Sequence, residues 1–245
     1  MTALFILYIL LFVMLKVMSF LFADFSYLSI FMQQLTGIFL PLFIYTVFIK
    51  KESYLSKSDF KIKAIHIPLI FIAGFCMQLF FSFINMPVII YLENLGIPAP
   101  SMPPVPNNGR IFLHIFTVCC LPAFAEEIFF RKYTYDVLNK IGNINALIGT
   151  ALIFAISHLN LYSILPLILT GLTLSYLRYK GASLIYAVTL HFSLNFSGIL
   201  LDFLTQDEFI SNILYNHFAI INILSGALTI SFIVFINSFF KEDRQ

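Results

Sequence analysis

Apolar residues run through this chain in long blocks broken by short polar segments, and each block predicts a helix on the scale of a bilayer crossing, about 20 residues. Eight blocks qualify: 3–22, 27–49, 65–92, 111 to about 138, 144–159, 164–179, 182–203 and 215–240. A lysine-rich segment, 50–63, separates the second and third. The longest non-apolar stretch, 93–109, separates the third and fourth and holds five prolines. No internal repeat and no separate soluble domain interrupts the pattern, so residues 1–245 are expected to form one membrane-embedded domain. The first block has no basic residues ahead of it and is longer than a signal-peptide core, which predicts a retained span. The expected fold is an all-α, polytopic bundle of about eight transmembrane helices.

Composition agrees. Hydrophobic residues make up 60% of the 245 and charged residues 11%, against about 45–50% and 25% in soluble domains. There is too little charge to cover a soluble surface. With 30 Phe, 12 Tyr, 10 Gly and 3 Cys, disorder, a collagen repeat and a disulfide scaffold are excluded too. A net charge of +2 does not suit a nucleic-acid partner. Cys76, Cys119 and Cys120 lie within apolar runs, are odd in number and have no CxxC spacing, so they read as small buried hydrophobes.

Basic residues set the orientation. With both termini cytoplasmic, the inner segments hold Lys50, Lys51, Lys57, Lys61, Lys63, Lys132, Lys140, Arg178, Lys180, Lys241 and Arg244, and the outer segments only Arg110. Glu93, Asp202, Asp207 and Glu208 fall outside. Lys16, within the first block, is expected to snorkel to the outer interface.

Polar groups inside the spans carry the candidate chemistry. In the fourth block Glu126 and Glu127 are adjacent carboxylates, each costing about 2.5–3.5 kcal/mol to insert before compensation. Arg131 lies four residues after Glu127, on the same helix face, and an ion pair there would hold Glu127 ionised. Glu126 points about 100° away, without a partner in its own helix, and is the general-base candidate. The alternative is a structural ion pair at the interface, with Glu126 in water. The fifth block ends in Phe154 and His158, four apart on one face. The seventh holds His191 and Asn195 at the same spacing, which also suits polar glue between helices. His66, His114 and His217 lie near block ends and read as interfacial. Depth introduces a tension: His191 lies about 13 Å from the cytoplasmic end of its helix and His158 nearer 20 Å. The fifth helix is therefore tilted or inset, or its boundary differs.

The ordered set Glu126-Glu127-x-x-x-Arg131, Phe154-x-x-x-His158 and His191-x-x-x-Asn195 resembles the three motifs of the CPBP intramembrane protease family, also called Abi. That family includes the type 2 CAAX prenyl endopeptidases and bacterial bacteriocin-processing or immunity proteins. The run from Gly171 through Arg178 to Ser183 is similar to the family's approach to its third motif, and the similarity covers Glu126 to Asn195. It implies a catalytic core at about 111–203, with the active site among the fourth, fifth and seventh helices. It also implies roles. Glu126 would activate a water, His158 would assist or hold it, Arg131 would orient Glu127, His191 and Asn195 would donate to the oxyanion, and Phe154 would pack beneath. The family has been described both as metal-dependent and as glutamate-dependent. Glu126 or Glu127 with His158 and His191 would make a three-ligand zinc site, but HExxH is absent, and the preferred expectation is the mechanism without a cofactor.

The expected activity is thus hydrolysis of a peptide bond in a peptide or membrane-protein substrate at the lipid bilayer. In a bacterial host, at the plasma membrane, this would serve bacteriocin or signal-peptide maturation or self-immunity. A eukaryotic host would imply a prenylated CAAX substrate. The sequence carries no indication of oligomeric state. A non-catalytic scaffold or regulator would be expected to lose motif residues, and all are present here. A transporter or proton relay would also account for intramembrane carboxylates, but no matched pair of broken helices in two halves accompanies them.

Overall fold

The computed structural model describes residues 31–32, 34–40, 43, 55–99 and 110–240. These are helical, with turns and loops and no strand among them. Seven helices are labelled in chain order: α1 His66–Asn94, α2 Ile111–Ile141, α3 Asn143–Ser157, α4 Ile164–Tyr179, α5 Leu184–Leu204, α6 Glu208–Asn216 and α7 Phe218–Phe239. Among the described residues five helices are long and apolar enough to cross a membrane, namely α1, α2, α4 with its leading turn, α5 and α7. The expected first span, 3–22 with Lys16, lies outside the described residues, as does most of the second, which is helical at its described positions.

The fifth predicted span is a short helix. α3 has 15 residues, about 22 Å at 1.5 Å per residue, less than the roughly 30 Å hydrocarbon core. It stops at Ser157, and Leu159 takes a left-handed conformation, φ +52°, which is uncommon outside glycine. The Ser157 hydroxyl and His158 Nδ1 both donate to the Phe154 carbonyl, at 2.7 and 2.8 Å, satisfying the helix end. The chain then reverses through a 3₁₀ turn, Leu161–Ser163, into α4. The depth tension in the sequence resolves here: His158 lies just past the end of a short helix, not inside a full span.

α2 is not a uniform α-helix. Its turns widen to π-helix at Phe116–Cys120 and Ile128–Thr134, bracketing an α-helical segment, Leu121–Glu127. Such insertions rotate the residues that follow and are frequent at functional sites. α6 was not anticipated. Asp207 caps it, accepting from the Ile210 N–H at 3.0 Å, and the span predicted at 215–240 begins only at Phe218.

Small residues let the helices approach closely, the usual device where lipid offers no hydrophobic drive to association. A Cβ on Gly74 of α1 would come within 2.6 Å of the Ser193 Cβ of α5, and one on Gly171 of α4 within 2.9 Å of the Ala151 carbonyl oxygen of α3. Met77, Leu174, Leu190 and Ile236 fill the core between α1, α4, α5 and α7, while Phe129, Phe130 and Phe154 fill a second core beside α2. Cys76 and Cys119 are buried as expected. His66 and His114 are buried as well, so interfacial placement does not expose them. His66 Nδ1 lies 2.8 Å from the Tyr186 hydroxyl, and its ring packs edge-on to Phe235 and Phe239. His217 is exposed. Part of the lysine-rich segment is tied down: Lys132 of α2 pairs with Asp59 at 2.9 Å.

Candidate active site

Glu126 and Glu127 end the α-helical segment of α2, between its two widened turns. Glu127 is fully buried and pairs with Arg131, itself fully buried, at 3.0 Å. Arg131 also donates to the Gly171 carbonyl at 3.3 Å and lies over the Phe154 ring, 4.6 Å from its centroid. The close packing at Gly171 therefore keeps a backbone acceptor within reach of the guanidinium. The same Glu127 oxygen, Oε1, lies 2.7 Å from His191 Nδ1 of α5. A carboxylate beside an arginine is an acceptor, so Nδ1 of His191 carries the proton in that bond.

The neighbours of Glu126 come from other segments. Nε2 of His158 and Nε2 of His191 lie 3.7 and 4.0 Å from its Oε2. Both rings spend Nδ1–H elsewhere, His158 on the Phe154 carbonyl and His191 on Glu127. In their neutral forms both Nε2 atoms therefore present lone pairs toward Glu126. Oε2 of Glu126 has no hydrogen-bond partner among the described residues. Three acceptors facing one region favour a shared donor, such as a water molecule or a protonated ring. The Phe154 ring forms the floor, its centroid 4.7 Å from that of His158 and 5.7 Å from that of His191.

Asn195 is oriented differently from the other motif residues. Its Nδ2 donates to the Val118 carbonyl at 3.2 Å. Val118 lies in the first widened turn of α2, so this bond ties α5 to that turn. The Asn195 amide carries a second N–H beyond it.

A residue the motifs did not suggest joins the group. Gln34 Nε2 donates to the other Glu126 oxygen, Oε1, at 3.1 Å. Its only signal in the sequence is the amide pair Gln33-Gln34 in a largely apolar block. Beside the site, an apolar cavity of about 530 Å³ opens between α1, α2 and α5, lined by Ile67, Phe71, Phe116, Phe124, Val188 and Phe192.

The donor set has the chemistry a zinc ion uses, but its spacing does not match. Ligands at 2.0–2.1 Å in a tetrahedron stand about 3.3–3.4 Å apart, less than the 3.7 and 4.0 Å between Glu126 and the two imidazoles. No group of three His, Cys, Asp or Glu among the described residues is arranged to hold a metal.

Residues 108–197 match the family model described as Type II CAAX prenyl endopeptidase Rce1-like. The resemblance to the CPBP and CAAX protease family holds. The matched segment contains all three motifs, from Glu126 to Asn195, and leaves out Gln34. With five helices long and apolar enough to cross a bilayer, the chain is an integral membrane protein, and its segment 108–197 is similar to CAAX proteases of this type. No curated protein and no solved structure matches the chain.

Proposed function

We propose that this protein is an intramembrane endopeptidase that hydrolyses a peptide bond in a membrane-associated peptide or protein, using water activated by Glu126. The observation that carries this reading is the meeting of Glu126 Oε2 with the Nε2 atoms of His158 and His191, brought from three helices, at 3.7 and 4.0 Å. A water shared by these acceptors donates a proton to Glu126 as its oxygen bonds to the scissile carbonyl carbon. The carbonyl oxygen becomes an oxyanion. Asn195 donates its second amide N–H to it, while His191, held in one tautomer by Glu127, accepts from the water's other hydrogen through Nε2. The C–N bond then breaks as the proton on Glu126 passes to the leaving amine. His158, its tautomer fixed by the Phe154 carbonyl, orients the water.

Arg131 acts through Glu127, and Phe154 holds both the guanidinium and the two imidazoles in place. The catalytic core, at about 111–203 of a single domain, comprises α2, α3 and α5, with a rim open toward the cytoplasm and lipid. The apolar cavity beside α2 and α5 favours a substrate with a long hydrophobic or prenylated portion, whose remote binding offsets the cost of orientation at the reacting bond. In a bacterial cell the substrate would be a bacteriocin or signal-peptide precursor. Glu126→Gln, compared with wild type at equal protein level, tests the assignment: product formation should cease while the protein still accumulates.

A further inference from the structure

The segment that matches the protease family does not hold its own base in place; an amide 92 residues earlier does. Gln34 Nε2 donates to Glu126 Oε1 at 3.1 Å. Because a carboxylate only accepts, the Gln34 amide must present its nitrogen there, and its oxygen must face the other way. That oxygen is buried and has no hydrogen-bond partner among the described residues, an arrangement that is costly unless something donates to it.

The two oxygens of Glu126 are thereby divided. Oε1 is tethered by Gln34, and Oε2 is turned toward the Nε2 atoms of His158 and His191. The tether is neutral, which distinguishes it from the one on Glu127. Arg131 pairs with Glu127 and offsets its charge, as a cation beside Glu126 would weaken a base. A carboxamide fixes the direction of the carboxylate and leaves its charge for the proton transfer. The second oxygen, buried next to the base and without a partner among the described residues, suits a main-chain N–H, the one donor that every peptide substrate brings.

We infer that Gln34 is the positioning residue of Glu126 and that its carboxamide oxygen accepts a backbone N–H of the bound substrate. The inference rests on Glu126 being the general base. The test uses the purified full chain in detergent micelles and a fluorogenic peptide carrying a farnesylated cysteine, with wild type, Gln34→Met, Gln34→Glu and Glu126→Gln at equal concentration. Gln34→Met keeps the length and loses both hydrogen bonds. Its kcat should fall about 10- to 100-fold, as expected for one bond to a charged group, and its KM should rise about 2- to 10-fold, as for one neutral bond. Gln34→Glu keeps an accepting oxygen, so its KM should stay within about twofold of wild type. Its kcat should fall at neutral pH and recover relative to wild type as the pH is lowered, because the introduced carboxyl regains a proton to donate. Glu126, Glu127, Arg131, His158 and His191 are common to both proteins, so a difference between the profiles belongs to position 34. Wild-type kcat and KM in Gln34→Met, or a Gln34→Glu profile parallel to wild type, would overturn the inference. An inactive Glu126→Gln beside a normal Gln34→Met would reject Gln34 alone, whereas an active Glu126→Gln would reject the base and the tether together.

Discussion

His191 Nδ1 lies 2.7 Å from Oε1 of Glu127, a residue 64 positions earlier on another helix. The same oxygen receives Arg131 at 3.0 Å. One carboxylate thus joins a cation of its own helix to an imidazole of α5, and that imidazole faces Glu126.

Arg131 should be a residue of stability as well as activity. Arg131→Ala would leave Glu127 charged, fully buried and without its arginine, which typically costs about 3–5 kcal/mol. Lower protein levels and a lower melting temperature should accompany lost activity. Arg131→Lys keeps the charge but has no planar group to reach Glu127, the Gly171 carbonyl and the Phe154 face together, so it should restore less than half the lost stability. Thermal unfolding of the purified variants checks both.

Asn195 should show two separable effects. Asn195→Ala would remove the proposed oxyanion donor, a loss of about 10²–10³ in rate, and also the bond to the Val118 carbonyl, worth about 0.5–1.5 kcal/mol. Turnover should therefore fall far more than the melting temperature, and the two, measured on wild type and Asn195→Ala, separate the contributions.

The Asp59–Lys132 pair should make the 55–63 segment sensitive to acid. Burial pushes the Asp59 carboxyl up, but hydrogen bonds from the Ser56 backbone, Lys132 and the Ser56 hydroxyl, with the charge of Lys132, hold it below its usual value of 3.8. A carboxylate lowered in the folded state contributes stability above its unfolded value and loses it as the pH falls through the folded one. Protection of 55–63 from proteolysis should thus persist at neutral pH and be lost only as the pH falls below 3.8, through the lowered folded-state value. Asp59→Asn should remove that pH dependence.

Metal removal should leave activity unchanged if Glu126 acts on water directly. Purified protein held in a strong chelator should keep its turnover, and metal analysis should find no stoichiometric zinc. Zinc at about one per chain, with activity lost on chelation and restored on addition, would instead make His158 and His191 ligands.

Hydropathy made α1, α2, α4 and α5 legible to within a few residues, because long apolar runs leave the backbone no alternative to helix in lipid. The end of α3 was not legible. Nothing in its apolar pattern signals that Ser157 and His158 close the helix on the Phe154 carbonyl, or that Leu159 turns left-handed. The widened turns of α2 were invisible as well, since they change register without changing composition. Among the site residues the charged ones stood out because charge in lipid demands an explanation. The i,i+4 spacing foretold the Glu127–Arg131 pair, and the paired motifs foretold the approach of His158 and His191 to Glu126. Gln34 was missed because a neutral amide hardly disturbs an apolar block. The bond from Asn195 to Val118 was missed because it reaches into a widened turn that the hydropathy pattern does not reveal.

The most direct test is turnover by Glu126→Gln on a membrane-delivered peptide substrate, with quantitation of the cleaved product at equal protein level. This change preserves size and hydrogen bonding and removes only the base. Product should fall to background, while expression, melting temperature and peptide binding remain near wild type. Product formation at the wild-type rate would contradict the account, because among the described carboxylates it is Glu126 that lies near both imidazoles.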